Sequence, residues 1–266
     1  MHRLLITGAG GNVGKKLRDR LAGFADILRL SDIVDLGEAG EGEEIVLCDL
    51  ADLDAVIDLV DGVDGIIHLG GASVENTFEY ILNANIRGTY NIFEAARKTG
   101  KPRILFASSI HAVGFHPREK RLDDDTPFRP DCLYGVSKCF GESLASYYYD
   151  KFDIESAVVR IGSCEFEPVD RRMLATWLSP EDFVQMIKDI FNAPRLANTM
   201  LYGASANKEQ WWDNSHAAFI GWTPQDSSEQ FRKKLEASTP KPTWNDPNVV
   251  LQGGRFATAG HFEDEN

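Results

Sequence analysis

The chain lacks the long apolar runs of a membrane protein. Nowhere in its 266 residues do the ~20 uninterrupted apolar residues of a transmembrane helix occur. The opening Met1-His2-Arg3-Leu4-Leu5-Ile6-Thr7-Gly8 is too short for a secretory signal and meets glycine-rich sequence at once. It reads as a first buried strand. Cysteine is scarce, and Cys48, Cys132, Cys139 and Cys164 form no Cys-x-x-Cys pair. A disulfide scaffold is excluded, and reduced thiols in a cytoplasmic protein are expected. The six histidines show no His-Glu-x-x-His or other ligand spacing, so no metal site is expected. Positive charge is short too. A net charge of −13 and a pI near 4.9 disfavour nucleic acid, whose phosphates would be repelled. Acidic residues are dispersed, apart from Asp123-Asp124-Asp125 and the tail Glu263-Asp264-Glu265, as in an ordinary soluble acidic enzyme. There are no internal repeats, low-complexity tracts or linkers.

What is present is a rhythm. Short apolar runs at 2–7, 27–30, 44–48, 65–69, 103–107 and 156–161 alternate with longer helical patterns. Val13, Leu17 and Leu21 recur every four residues, Ala55 to Val60 looks helical, and long helices are expected at about 77–99 and 134–152. This alternation predicts an α/β protein: a Rossmann-type, doubly wound parallel sheet covered on both faces. Ser179-Pro180-Glu181-Asp182 carries a helix start, with Ser as cap and Pro at the first helical position. Met200-Leu201-Tyr202 suits a last short strand. The expectation is one dinucleotide-binding domain over 1–266, with residues from about 165 to 266 forming a small C-terminal substrate lobe.

Gly8-x-x-Gly11-x-x-Gly14 lies between the first strand and the first helix. Glycines there permit a tight turn, backbone approach to a pyrophosphate and close helix–strand packing. The helix start then offers free N–H groups to phosphate. Asp32 closes the second strand, where a carboxylate accepts the adenosine ribose hydroxyls and repels a 2′-phosphate. Ile33-Val34-Asp35 follows with no arginine, so NAD is favoured over NADP. Asp49-Leu50 suits an adenine edge, and Leu69-Gly70-Gly71 should pass beneath the cofactor.

Tyr134 and Lys138 stand four apart, one helical turn from each other. A free phenol titrates near pH ~10, and a nearby ammonium lowers that value. Ser109, at the end of an apolar run, is placed to hold a substrate hydroxyl while Tyr134 takes its proton.

Together, Gly8/Gly11/Gly14, Asp32, Asp49-Leu50, Asn85 in Asn85-Ile86-Arg87-Gly88, Ser109 and Tyr134/Lys138 resemble the extended short-chain dehydrogenase/reductase family over residues 1 to about 165. A closer resemblance, to the bacterial uronate dehydrogenases, rests on four segments. They are His68–Glu75, Leu133–Glu142, Arg160-Ile161-Gly162-Ser163-Cys164, and Gly203–Asn207 through Trp211-Trp212-Asp213-Asn214. Gln252-Gly253-Gly254 extends the likeness to near the end. It implies NAD as cofactor, further cofactor contacts from Asn12, Val13, Ile33, Asn85 and Ile161, and a homo-oligomer. It implies oxidation of a hexuronic acid at C1 to an aldarolactone. Ser73, Ser109, His111, Tyr134 and Ser163 would contact the sugar, and Arg172 would pair with its carboxylate. A guanidinium binds a carboxylate through two parallel hydrogen bonds. Spacing alone does not choose between Arg171 and Arg172. On sequence alone, Trp211 and Trp212 read as packing residues.

The chain departs from that family at Ser108-Ser109-Ile110-His111, where the family has Asn in place of Ile110. The position would lie beside the sugar, and an unpaired sugar hydroxyl costs ~1–3 kcal/mol. Efficiency or substrate choice would change, while Ser109, Tyr134 and Lys138 remain. The alternative readings are an aldose 1-dehydrogenase for arabinose or galactose, a nucleotide-sugar epimerase and a non-catalytic dinucleotide-binding module.

Overall fold

The computed structural model describes residues 1–264; Glu265 of the acidic tail lies outside the described residues. Seven parallel strands form one sheet. In chain order they are β1 (Arg3–Thr7), β2 (Ile27–Asp32), β3 (Glu43–Leu47), β4 (Gly65–His68), β5 (Arg103–Ser109), β6 (Ser156–Ile161), and a strand at Asn198–Gly203 beside β6. A small pair, β7 (Ser163–Cys164) and β8 (Trp177–Leu178), precedes that last strand, which is therefore β9. The sheet order is β3-β2-β1-β4-β5-β6-β9. Strand order reverses between β1 and β4, where a doubly wound sheet opens its crevice.

The helices are α1 (Asn12–Arg18), α2 (Leu53–Val60), α3 (Phe78–Ile81), α4 (Gly88–Lys98), α5 (Leu133–Phe152), α6 (Met173–Thr176), α7 (Pro180–Asn192), α8 (Arg232–Ser238) and α9 (Pro247–Val250). One face of the sheet is covered by α1 and α7. Phe183, Met186, Ile187 and Ile190 follow helical spacing and pack with Leu4, Ile6 and Leu17. Ser179 caps α7 by accepting from the Asp182 N–H at 3.0 Å, and Pro180 starts it, as the sequence indicates. The other face carries α2, α4 and α5, with Leu5, Ile66 and Ile104 packed against Val56, Phe93 and Tyr148.

The helix expected at 77–99 is interrupted. A π-helical turn at Leu82–Arg87 separates α3 from α4, and Asn85 lies within it. Such turns commonly occur at functional sites. The stretch expected as a C-terminal lobe also divides. Residues 179–203, with α7 and β9, return to the sheet and its helical layer. Segments on either side reach over the cleft. A satellite core of Ile110, Val113, Leu122, Ala175, Tyr202, Trp211 and Trp212 anchors them. Both tryptophans pack in this core, where Trp212 stacks on Tyr202 at 5.3 Å, and Trp211 also lines the cleft. No helix among the described residues is long and apolar enough to cross a membrane.

Candidate active site

A cleft of about 1020 Å³ opens at the carboxyl ends of the strands. Of the site residues expected from sequence, all but Asn85 and Ile110 line it.

The dinucleotide end is built around backbone. Gly8 has φ +71°, and a β-carbon there would meet the Leu69–Gly70 backbone at 2.8 Å. A β-carbon on Gly14 would collide with the Gly8 carbonyl oxygen. Strand, turn and helix therefore approach as closely as a pyrophosphate cradle requires. No side chain caps α1, which leaves its first N–H groups to the cleft. Asp32 accepts from the N–H groups of Gly10 at 2.9 Å and Ile33 at 2.7 Å. These bonds hold its carboxylate at the mouth where an adenosine ribose would sit. The residues fit a dinucleotide.

Sequence reasoning did not single out Thr7, His68 and Thr89 as supports of this floor, and it read Asn85 as a cofactor contact. His68 is buried between the Thr7 hydroxyl at 2.8 Å and the Thr89 hydroxyl at 3.2 Å. Burial drives its pKa down to about 3, so it is neutral. Thr7 Oγ1 in turn accepts from the Gly70 N–H at 3.2 Å. Asn85 belongs to the same support. It accepts from the Ala72 N–H at 2.7 Å, and donates to the Ala72 carbonyl at 3.1 Å and the Ser137 hydroxyl at 2.9 Å. It is off the cleft wall, and ties the glycine loop to α5.

Ser109, Tyr134 and Lys138, the trio expected from the sequence, meet where β5 and α5 converge. Glu75 binds the start of α5, accepting from the Leu133 N–H at 3.0 Å and the Tyr134 N–H at 2.8 Å. An anion at a helix N-terminus is stabilised by the unpaired donors and the dipole. Tyr134 is buried, and its phenol is pushed up to about 12, chiefly by burial; the neighbouring Ser109 hydroxyl pulls it back. Lys138 Nζ lies 5.4 Å from the Tyr134 ring centroid and donates to the Ala107 carbonyl at 2.8 Å. Burial lowers Lys138 to about 8, against the opposing pull of Glu142. In the protein alone the lowering of the phenol comes from Ser109, not from Lys138 as expected. Behind the trio, Glu142 and Arg160 pair at 2.8 Å, and Ser108 donates to Glu142. A buried pair of this kind is invisible in a single sequence.

The far end separates the two arginines. Arg171 donates to the carbonyls of Glu236 at 2.8 Å and Thr239 at 3.0 Å. Arg172 is half-buried, and its Nε and Nη2 donate to the Gln252 carbonyl at 2.9 and 2.6 Å. Its Nη1 has no partner among the described residues, nor does Arg172 have a carboxylate within ion-pair distance. Burial pulls its pKa down; nearby Asp170 and Asp131 oppose that fall, and Arg118 and Arg255 add to it. A guanidinium with one nitrogen free and no direct ion pair can take an anion. Ser73, Ser163 and His111 line the same cleft.

Ile110 is a correction. It is 1% exposed and packs in the satellite core, so its side chain does not reach the sugar end. The residue after a β5 serine alternates to the opposite side of the backbone, and here that side is apolar.

Comparisons with known proteins agree with this geometry. Residues 4–178 match the NAD dependent epimerase/dehydratase family. The uronate dehydrogenase of Agrobacterium fabrum is 56% identical over 96% of this chain and 97% of its own. The crystal structure of glucuronic acid dehydrogenase from Chromohalobacter salexigens superposes with a TM-score of 0.98, at 58% identity and 99% coverage of both chains. A variant of uronate dehydrogenase from Agrobacterium tumefaciens, complexed with NAD, gives 0.97 at 55% identity, over 99% of this chain and 100% of that one. The chain belongs to the NAD dependent epimerase/dehydratase family and, within it, groups with the uronate dehydrogenases.

Proposed function

We propose that this protein oxidises the anomeric hydroxyl of a hexuronic acid, with NAD as acceptor, to give an aldarolactone. One observation carries the reading. A half-buried guanidinium without a carboxylate partner, Arg172, lines the same cleft as Ser109, Tyr134 and the glycine cradle. In a chain of net charge −13, the cleft also gathers Arg118, Arg171 and Arg255. An anionic sugar is drawn to that end, and its opposite carbon falls toward Tyr134.

Arg172 anchors the carboxylate through the guanidinium edge that Gln252 leaves free. Ser73 and Ser163 bind sugar hydroxyls. Ser109 and Tyr134 hold the anomeric hydroxyl, and Tyr134 takes its proton as the C1–H bond breaks. When bound, NAD supplies the hydride acceptor and a positive ring charge. Lys138 adds its own positive charge beside the phenol and serves the nicotinamide ribose. Asp32 favours NAD by repelling a 2′-phosphate. Positioning the sugar at both ends converts binding into reactive geometry.

The direct test is absorbance at 340 nm with NAD or NADP against glucuronate, galacturonate, arabinose and galactose. Reduction of NAD with the uronates is expected. A higher kcat/KM on the neutral aldoses would assign the site to an aldose dehydrogenase. We also propose a cytoplasmic homo-oligomer. Tyr90, Val136 and Tyr147 are exposed on the long helices, a surface suited to subunit contact. Light scattering of the purified chain reads its subunit number.

A further inference from the structure

His111 follows β5 in a short 3-10 turn and lines the cleft. Its ring is confined on three sides. Phe256 lies 4.1 Å from it and Tyr134 meets it edge-on at 5.9 Å. Its Nδ1 stands 3.0 and 2.9 Å from the two oxygens of Asp131. The Asp131 side chain is 0% exposed. Cys132 Sγ donates to Asp131 Oδ1 at 3.1 Å and accepts from the Gly135 N–H at 3.3 Å. The three side chains lie within 4.8 Å of one another, a spacing these hydrogen bonds already explain.

Room for the carboxylate comes from two glycines in separate segments. A β-carbon on either Gly114 or Gly253 would overlap Asp131 Oδ2. Gly253 follows Gln252, whose carbonyl takes Arg172. The Gln252 side chain is buried, accepting from Trp212 Nε1 at 2.8 Å and donating to the Lys120 carbonyl at 2.9 Å. Distant stretches of chain therefore converge on one buried carboxylate and one imidazole.

An ionised carboxylate only accepts hydrogen bonds, so Nδ1 carries the proton. In the neutral ring, Nε2 is then an acceptor, and it has no partner among the described residues. An acceptor repels a carboxylate and suits a hydroxyl. We propose that Asp131 is a positioning residue that locks His111 in the Nδ1–H tautomer, so that Nε2 enters the cleft as an acceptor for one sugar hydroxyl. Arg172 then selects the acid, and His111 selects a hydroxyl. The nature of that ligand rests on the function proposed above; the tautomer does not.

The test has two arms. Nitrogen-15 NMR of the histidine rings, on the full chain at pH 8 without ligand, reads the tautomer directly. His111→Gln identifies the signal. An Nδ1–H ring is expected; an Nε2–H ring, or one protonated at both nitrogens, overturns the lock. In kinetics with NAD and glucuronate, His111→Gln and Asp131→Ala are each expected to raise KM about tenfold, the effect of one lost hydrogen bond. The double variant should be no worse than His111→Gln alone, because Asp131 acts through His111. Additive losses, about a hundredfold, overturn it. If Asp131→Ala does not fold, Asp131→Asn takes its place, and the wild-type spectrum still decides. Absence of turnover on every uronate would instead defeat the function proposed above.

Discussion

The two ends of the cleft are built in opposite ways. The dinucleotide end uses backbone: the Gly8–Gly14 turn, one carboxylate at the tip of β2, and the Leu69–Gly71 floor. The end proposed for the sugar uses side chains from scattered segments: Ser73 after β4, His111 after β5, Ser163 in β7, Arg172 before α6, and a strap at 253–256. Backbone sites depend on which residues have no side chain. Side-chain sites depend on which neighbours hold each group still. The first is a local property and the second is not.

Substitutions should separate these ends. The largest effect is expected where they meet. Tyr134→Phe removes the base and should lower kcat by about a thousandfold. NAD affinity, followed by quenching of protein fluorescence, should hardly change. Retained turnover would refute the base assignment. Arg172→Ala should raise KM for glucuronate by about a hundredfold, as expected for a lost charge-assisted pair. NAD affinity should again be preserved. Gly14→Ala should reverse the pattern, weakening NAD binding and lowering Tm, because its β-carbon has no room beside Gly8. Equal loss of both ligands in the Arg172 variant would show that the ends are not separable.

A pH profile gives the next effect in size. The phenolate of Tyr134 appears as pH rises toward its value of about 12, so kcat should climb on the alkaline side. Lys138 loses its charge above about 8, which opposes that climb. Lys138→Met removes this opposition and the base-lowering charge together. Its profile should be shifted to higher pH with a lower kcat near neutrality. An unchanged profile would mean that Lys138 does not act on the phenol.

The smallest kinetic effect is expected at Ile110. Placing Asn there buries an amide among Val113, Tyr202 and Trp212. Stability should fall by about 1–3 kcal/mol, read as a lower Tm, while KM for glucuronate changes by less than about threefold. A large fall in KM would bring this position back to the sugar.

Much of the fold was legible because its signals are local. The six strand patterns, the glycine triplet, the Ser179-Pro180 helix start and the four-residue step from Tyr134 to Lys138 each act over a few residues. The π-turn was hidden, since Asn85 reads as one more helical residue until Ala72 and Ser137 bind its side chain. Glu75 and Asp131 were hidden as well. Their partners lie 58 and 20 residues away in the chain, at the start of α5 and at His111. Each precedes or follows a recognised motif closely, which is the one clue the sequence offers.

The chain's own order of residues determined the parallel sheet, the glycine cradle and the one-turn step from Tyr134 to Lys138, because periodicity, missing β-carbons and helical spacing are written locally. Only the folded structure decided that Arg171 is tied to the Glu236 and Thr239 carbonyls while Arg172 keeps one guanidinium nitrogen free in the cleft, that Ile110 turns into the satellite core, and that Asp131 grips His111. Those outcomes depend on which groups from distant segments consume each donor and fill each space, and packing settles that only when the whole chain has closed.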